Sequence, residues 1–274
     1  MLKKKIVVFT NCHGEKYINV FKESSNIDSL FEINYIVSYQ QLDNFSNMKD
    51  IFIEADILII NRIKSYNNYT VDNLKKILKP DALLIIIPFI RFNGYWLPEE
   101  SKILKNFKAN SVEYFPNINY EDIDTYLEED IDNNEIKCNF NKCLIKLEEI
   151  ELESDIKFFD WFLTNHLKYP MFRDYKHPTD NFINYIGHEI MKLIQKKYIN
   201  VTIKHNIKLN NTPYEGGHFK PIKNKIKEVL NINYDFDKVF FCSRKKYLST
   251  ILNHEKSDIC INNLEHMNLF LFNK

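Results

Sequence analysis

The chain has 274 residues, 45% hydrophobic and 14% aromatic, enough for one large core or two small ones. Its 37 basic and 37 acidic side chains cancel, which argues against a general nucleic-acid binder and a strongly basic membrane-surface protein. Five cysteines (Cys12, Cys138, Cys143, Cys242 and Cys260) form an odd set without a compact disulfide framework, so a reduced, cytoplasmic setting is expected.

Met1-Leu-Lys-Lys-Lys reads like the start of a signal peptide, but only about five apolar residues follow before Asn11, too few for its hydrophobic region. Ile6–Phe9 is an apolar, β-branched run that stops at Thr10-Asn11-Cys12-His13-Gly14. Glu15–Glu23 then places Tyr17, Ile18 and Phe21 on one helical face. Glu32–Tyr39 is the second strand and Leu42–Phe52 a weaker helix. Asp56–Asn61 is the third strand, Val71–Leu78 a helix closed by Lys79-Pro80, and Ala82–Ile87 the fourth strand. Short apolar strands separated by helices of this length predict a parallel sheet covered on both faces. Ligands bind such sheets beyond the carboxyl ends of the strands, where this chain carries Asn11-Cys12-His13, Ser38-Tyr39-Gln40, Asn61-Arg62 and Pro88 to Arg91.

The longest apolar run, from Ala82 to Ile90, is far short of a membrane span. Pro88–Pro98 is an aromatic loop without a regular period, either packing its own rings or forming a ligand wall. Glu121–Glu135 is acidic, with a turn-like Asp132-Asn-Asn-Glu135, and reads as a solvated helix and loop. Cys143–Leu167 has a helical pattern, broken near Glu153-Ser154. Leu167–Asp180 is an irregular link, and Asn181–Tyr198 is a clean amphipathic helix with Thr179 or Asp180 as its N-cap. A short strand over Asn200–Ile207, a loop over Thr212–Pro221, a basic helix over Ile222–Leu230 and a last helix over Lys245–Asn253 complete the reading. The predicted fold class is α/β: an open parallel, Rossmann-like or flavodoxin-like sheet over residues 1–115. A mostly helical region, 116–274, packs on it as part of one compact unit.

Cys12 sits at a predicted helix N-terminus, where the macrodipole favours a thiolate, and His13 adds to that if protonated. The competing reading is a buried, inert cysteine. His177 precedes Pro178, which pushes it to extended geometry just ahead of a helix and aims its ring over the helix start. A surface histidine in a capping turn is the plainer alternative. His188-Glu189 lacks the second histidine of a metalloprotease helix, and Cys138 and Cys143 have no second pair, so no metal is expected. Gly216-Gly217-His218 is a turn far from a phosphate-binding loop. No GxGxxG, Walker or Gly-x-Ser-x-Gly motif occurs, which weakens nicotinamide, nucleotide and serine-hydrolase readings.

Strand-Thr10-Asn11-Cys12-His13, then Pro88-Phe-Ile-Arg91-Phe-Asn-Gly94-Tyr95-Trp96-Leu-Pro98, then a long helix leading to His177-Pro178-Thr179 resembles the WcbI-type capsular polysaccharide biosynthesis family. That family has Gly-Asn-Cys-Gln at the first strand end and His-Pro-Thr before a helix, in the same order, over about residues 5 to 197. Thr10 replaces its glycine and His13 its glutamine, which bears more on a shared mechanism than on a shared fold.

The resemblance implies a coenzyme A-dependent acyltransferase, taking acetyl-CoA and acylating a sugar hydroxyl in a capsular or other surface glycan. His177 is then the candidate base, and Asn11 with the backbone N–H groups of Cys12 to Gly14 the candidate oxyanion hole. Cys12 serves either as nucleophile of a two-step transfer or as a wall of the pocket for the coenzyme's thiol, with direct transfer slightly favoured. His13 is a candidate second base. Gly14, Arg91, Arg173 and Lys176 are candidate coenzyme contacts, the three basic residues to its phosphates, and Tyr95 and Trp96 candidate stacking surfaces for a sugar or adenine ring. The alternatives are a cysteine–histidine esterase or deacetylase of a glycan, and a non-catalytic sugar- or nucleotide-binding subunit. The expected partner is a glycan or sugar precursor, with no nucleic acid and no membrane span; a homo-oligomer is left open.

Overall fold

The first strand, β1 (Lys4–Thr10), is buried from Ile6 onward and pairs on both sides with parallel neighbours, β2 (Phe31–Val37) and β3 (Ile57–Asn61). β4 (Leu83–Ile87) pairs with β3. The strand order is therefore β2-β1-β3-β4, all parallel. The structure is a computed structural model that describes residues 3–63, 66–97, 129–204, 207–210 and 222–234. All five residues of β3 are buried, as the unbroken Ile-Leu-Ile-Ile run requires of a strand with both faces covered.

The described chain divides into two units: 1–91, 145–165 and 178–209 form the first, and 92–144, 166–177 and 210–274 the second. The division expected at residues 115/116 lies outside the described residues. In the first unit, α1 (Gly14–Ser24), α2 (Ile27–Leu30), α3 (Phe45–Glu54) and α4 (Val71–Ile77) connect the strands. Val7, Phe9, Leu58 and Ile60 meet Phe52, Tyr69 and Leu74 on one face of the sheet. Phe9 stacks on Tyr69 with ring centroids 5.3 Å apart. On the other side α1 packs against a helix from much later in the chain, Asp180–Lys197, which also reaches β4. A side-chain carbon at Gly187 would stand 2.7 Å from Val20 Cγ1, so these helices approach where only glycine fits. The Lys16 ammonium meets the Asp180 carboxylate at 2.5 Å. The exposed edge of β4 is closed by Asp155, whose N–H donates to Ile86 O while its carboxylate accepts from Ile86 N–H.

The long helix expected from Cys143 begins ten residues earlier: α5 spans Asn133–Leu152, and α6 spans Phe159–Asn165. Asp132 explains the difference. Its Oδ1 accepts the N–H groups of Asn134 (2.9 Å) and Glu135 (3.0 Å), so the turn-like Asp-Asn-Asn-Glu is a helix cap. The break falls where expected, and Glu151 Oε2 turns back to accept the N–H groups of Phe158 and Phe159 at the start of α6.

The link expected to be irregular contains two short strands, β5 (Phe172–Asp174) and β6 (His177–Pro178), paired with each other. They lead into α7 (Asp180–Lys197), with Thr179 at its N-cap. Between 200 and 207 only an isolated bridge, Ser25 to Ile203, occurs among the described residues. The basic helix is α8 (Asn224–Leu230). The loop at 212–221 and the helix at 245–253 lie outside the described residues. No described helix is long and apolar enough to cross a membrane.

Candidate active site

The order β2-β1-β3-β4 reverses direction between β1 and β3, and in open α/β sheets that reversal opens a crevice at the carboxyl ends of the two strands. Asn11 follows β1 there, and Asn61 ends β3. Asn61 is 4% exposed. Its Oδ1 accepts the Asn11 N–H at 3.0 Å and its Nδ2 donates to Pro88 O at 3.1 Å. One buried amide therefore joins the ends of β1, β3 and β4. The polar residue closing an otherwise apolar strand was visible in sequence, but not its bonding.

The turn after β1 consumes most of its own polar groups. Asn11 Oδ1 accepts the His13 N–H (3.2 Å), and Asn11 O accepts both the Gly14 N–H (3.1 Å) and the Tyr35 hydroxyl (2.7 Å). The N–H groups of His13 and Gly14, expected to face an oxyanion, are thus bonded within the turn, as is the Asn11 carbonyl oxygen of its side chain. Gly14, expected at the cofactor, is buried against Tyr35 and Thr10. Cys12 is exposed at the tip of this turn, while His13 is 5% exposed and forms the N-cap position of α1. Burial and then the neighbouring Cys12 charge push the Tyr35 phenol up to about 12. Tyr35 therefore stays a neutral hydrogen-bond donor to the turn.

His177 is placed by its own local chain. Asp174 Oδ1 accepts the N–H groups of Lys176 (2.7 Å) and His177 (3.1 Å), which closes a tight turn between β5 and β6. His177 Nδ1 lies 2.9 Å from Asp174 Oδ1 and 2.8 Å from Oδ2. Burial works to raise the Asp174 pKa, but the bonds from His177 and from the Lys176 N–H, with the Arg173 charge, outweigh it and hold the carboxyl below its ordinary value. An ionised carboxylate at Nδ1 assigns the ring proton to that nitrogen and leaves Nε2 as the acceptor. Asp174 was visible in the sequence three residues before the histidine, without any sign of which way it faced.

Cys12 and His13 belong to the first unit and His177 to the second. His177 is joined directly to Pro178, and the chain reaches Asp180, the first residue of α7, three residues after it.

The other expected site residues divide. Arg91 is exposed, its guanidinium 4.5 Å from the Phe89 ring centroid, and Lys176 is exposed beside Tyr175. Arg173 is half-buried, with a buried Nε that has no hydrogen-bond partner among the described residues. Tyr95 and Trp96, expected as stacking surfaces, are 0% and 1% exposed. Tyr95 packs on Phe92, Phe140 and His166, and its hydroxyl is bonded to His166. Asn139 Nδ2 donates to the carbonyls of Asn93 and Trp96, fixing the loop backbone. This loop supplies the interior of the second unit, and its rings offer no open face.

A family model described as polysaccharide biosynthesis enzyme WcbI matches residues 5–197. No protein in the curated set matches the chain. Among solved structures, the chain is similar to one of WcbI, described as a novel polysaccharide biosynthesis enzyme, in its native form without a disulfide bond between coenzyme A and a cysteine. The TM-score is 0.57 at 12% identity, covering 100% of this chain and 96% of that one, so the likeness concerns the fold.

Proposed function

We propose a chemistry on one premise: the chain belongs to the WcbI family of polysaccharide biosynthesis enzymes. The reaction is coenzyme A-dependent transfer of an acyl group, acetyl in the simplest case, to a sugar hydroxyl of a glycan precursor. The observation that carries it is His177 with its Nδ1 held by the Asp174 carboxylate, in a chain of this family that exposes Cys12 at the carboxyl end of its sheet. A nucleophile, a base and a group that orients the base are the parts acyl transfer requires.

In the two-step form, the Cys12 thiol gives its proton to His177 Nε2 as its sulfur attacks the thioester carbonyl of acyl-CoA. The tetrahedral intermediate collapses to acyl-Cys12, and the coenzyme leaves as a thiol with a proton from His177 Nε2. The sugar hydroxyl then gives its proton to His177 Nε2 as its oxygen attacks acyl-Cys12. The ester leaves, and the Cys12 sulfur takes the proton back from His177 Nε2, which regenerates the thiol and the base. Exchanging one thioester for another is nearly neutral in free energy, so the covalent step adds no thermodynamic burden. The solved WcbI structure's description pairs coenzyme A with a cysteine, which supports placing the coenzyme's thiol near Cys12. Arg173, whose buried Nε has no hydrogen-bond partner among the described residues, is the strongest candidate phosphate contact of the three basic residues, with Arg91 and Lys176 at the surface.

Incubation with acetyl-CoA and intact-mass spectrometry tests the covalent step. One acetyl group should appear on the wild-type chain and none on Cys12→Ser. Full turnover by Cys12→Ser would replace the two-step route with direct transfer from acyl-CoA to the hydroxyl. Calorimetry with coenzyme A tests the cofactor: absence of binding at millimolar concentration overturns the transferase. Release of acetate from an acetylated glycan without coenzyme A would instead make the enzyme an esterase.

A further inference from the structure

Cys12 is exposed, but the turn that carries it is gripped by side chains from both strands that flank β1, all within the first unit. We propose that Tyr35 of β2 is a positioning residue for the reaction. It fixes the chain on either side of Cys12 and so holds the thiol in its reactive place ahead of α1. The inference rests on the acyl-transfer reading in taking Cys12 as the reacting thiol.

Tyr35 reaches the turn twice. Its hydroxyl donates to Asn11 O at 2.7 Å, one residue before Cys12. Its ring lies against Gly14, two residues after Cys12 and the first residue of α1, so closely that a side-chain carbon there would collide with it. From the other flank, Asn61 of β3 accepts the Asn11 N–H at 3.0 Å, and the Asn11 side chain accepts the His13 N–H. Both backbone polar groups of Asn11 are therefore held by side chains of neighbouring strands. The sulfur extends from a backbone fixed to the sheet. A thiolate gains from the positive end of a helix only within its first turn, so that gain depends on the turn keeping its geometry.

The charges around the turn leave Tyr35 in this role. In the first unit, His13 adjoins Cys12, Glu15 and Tyr17 follow on α1, and Tyr35 on β2 also feels Glu15 and Tyr39. Burial first, and then the Cys12 charge, raise the phenols of both Tyr17 and Tyr35. Both rings are neutral where a thiol titrates, so Tyr35→Phe removes one hydrogen bond and no charge. Tyr198 supplies the contrast. Its hydroxyl also donates to a backbone carbonyl, Asp56 O at 3.3 Å, but at the opposite end of the sheet, where β3 begins.

Alkylation of Cys12 by iodoacetamide as a function of pH, resolved by site with mass spectrometry, reads the thiol with no coenzyme present. In Tyr35→Phe the midpoint should move up by about 0.2–0.7 of a pH unit, the size of a weakened helix-end interaction. The kcat for acetyl transfer should fall about 10–100-fold, with KM for acetyl-CoA within about threefold of wild type. Tyr198→Phe, which loses a bond of the same kind, should keep the wild-type midpoint and kcat. Circular dichroism checks that both variants are folded. An unmoved or lowered midpoint in Tyr35→Phe, or an equal loss of kcat in Tyr198→Phe, would overturn the proposal. A wild-type chain that transfers no acetyl group, with the midpoint shift still present in Tyr35→Phe, would remove the transfer reading and leave the positioning of the thiol standing.

Discussion

Replacing Gly14 with alanine puts a methyl carbon where the Tyr35 ring and the Thr10 hydroxyl already stand. A carbon built at that position falls inside the van der Waals contacts of Tyr35 Cε2 and Thr10 Oγ1, with Tyr35 Cδ2 at 2.7 Å. Tyr35 cannot simply swing aside, because its hydroxyl is bonded to Asn11 O at 2.7 Å and its backbone is paired with Val8 in the sheet. Overpacking of this kind costs about 1–3 kcal/mol, and losing the tyrosine bond adds about 1 kcal/mol. Against this, alanine gains up to about 1 kcal/mol over glycine in a helix. The net expectation is a loss of about 2 kcal/mol, a fall in melting temperature of about 4–8 °C for a unit of this size. Thermal unfolding followed by circular dichroism measures it. In a Tyr35→Ala background the same change should cost less, because the obstructing ring is gone and only the Thr10 hydroxyl still stands in the way; pairs in contact couple by about 0.5–3 kcal/mol. Equal costs in the two backgrounds, or an unchanged melting temperature for Gly14→Ala alone, would refute the packing argument.

Asn61→Leu, similar in volume, leaves the Asn11 N–H and the Pro88 carbonyl without their partner and should destabilise by about 2–5 kcal/mol in denaturant unfolding. A loss below about 0.5 kcal/mol would mean that the strand ends are held by something else. Burial lowers the His166 pKa from 6.5 to about 4, so the unfolded chain binds this proton between those values and the folded chain does not. Its contribution to stability is complete above about pH 6.5 and is lost as pH falls towards 4, at most about 3 kcal/mol in total. His166→Phe should flatten the stability profile in that window; an unchanged slope would contradict the assignment. Asp174→Asn should slow acyl transfer about 10²–10⁴-fold while coenzyme A affinity, read by calorimetry, stays within about threefold of wild type. A parallel fall in affinity would make Asp174 a structural or binding residue instead.

Much of the fold was legible because the first ninety residues state it locally. Four apolar runs too short for anything but buried strands alternate with helical periods, and the Lys79-Pro80 pair marks a helix end. The Asn11-Cys12-His13 turn and the His177-Pro178-Thr179 segment were equally plain as interruptions of pattern. What misled was the absence of pattern. The Arg91–Leu97 loop looks like a surface rim because it has no period, yet Phe92, Tyr95 and Trp96 fill an interior. Periodicity reports a face only for regular elements, and an irregular segment can bury rings once an amide such as Asn139 satisfies its carbonyls.

The sequence by itself determined the four strands and the helices between them, and marked the Asn11-Cys12-His13 turn and the His177-Pro178 segment as breaks in pattern, since each depends on the chemical nature of near neighbours along the chain. The tertiary structure alone decided the strand order that puts a crevice between β1 and β3, and Asn61's bridging of three strand ends. It also decided that Asp174 turns onto His177. Such pairings are set by chain closure over long separations, where a residue's identity says what it can bond but not which partner the fold will bring to it.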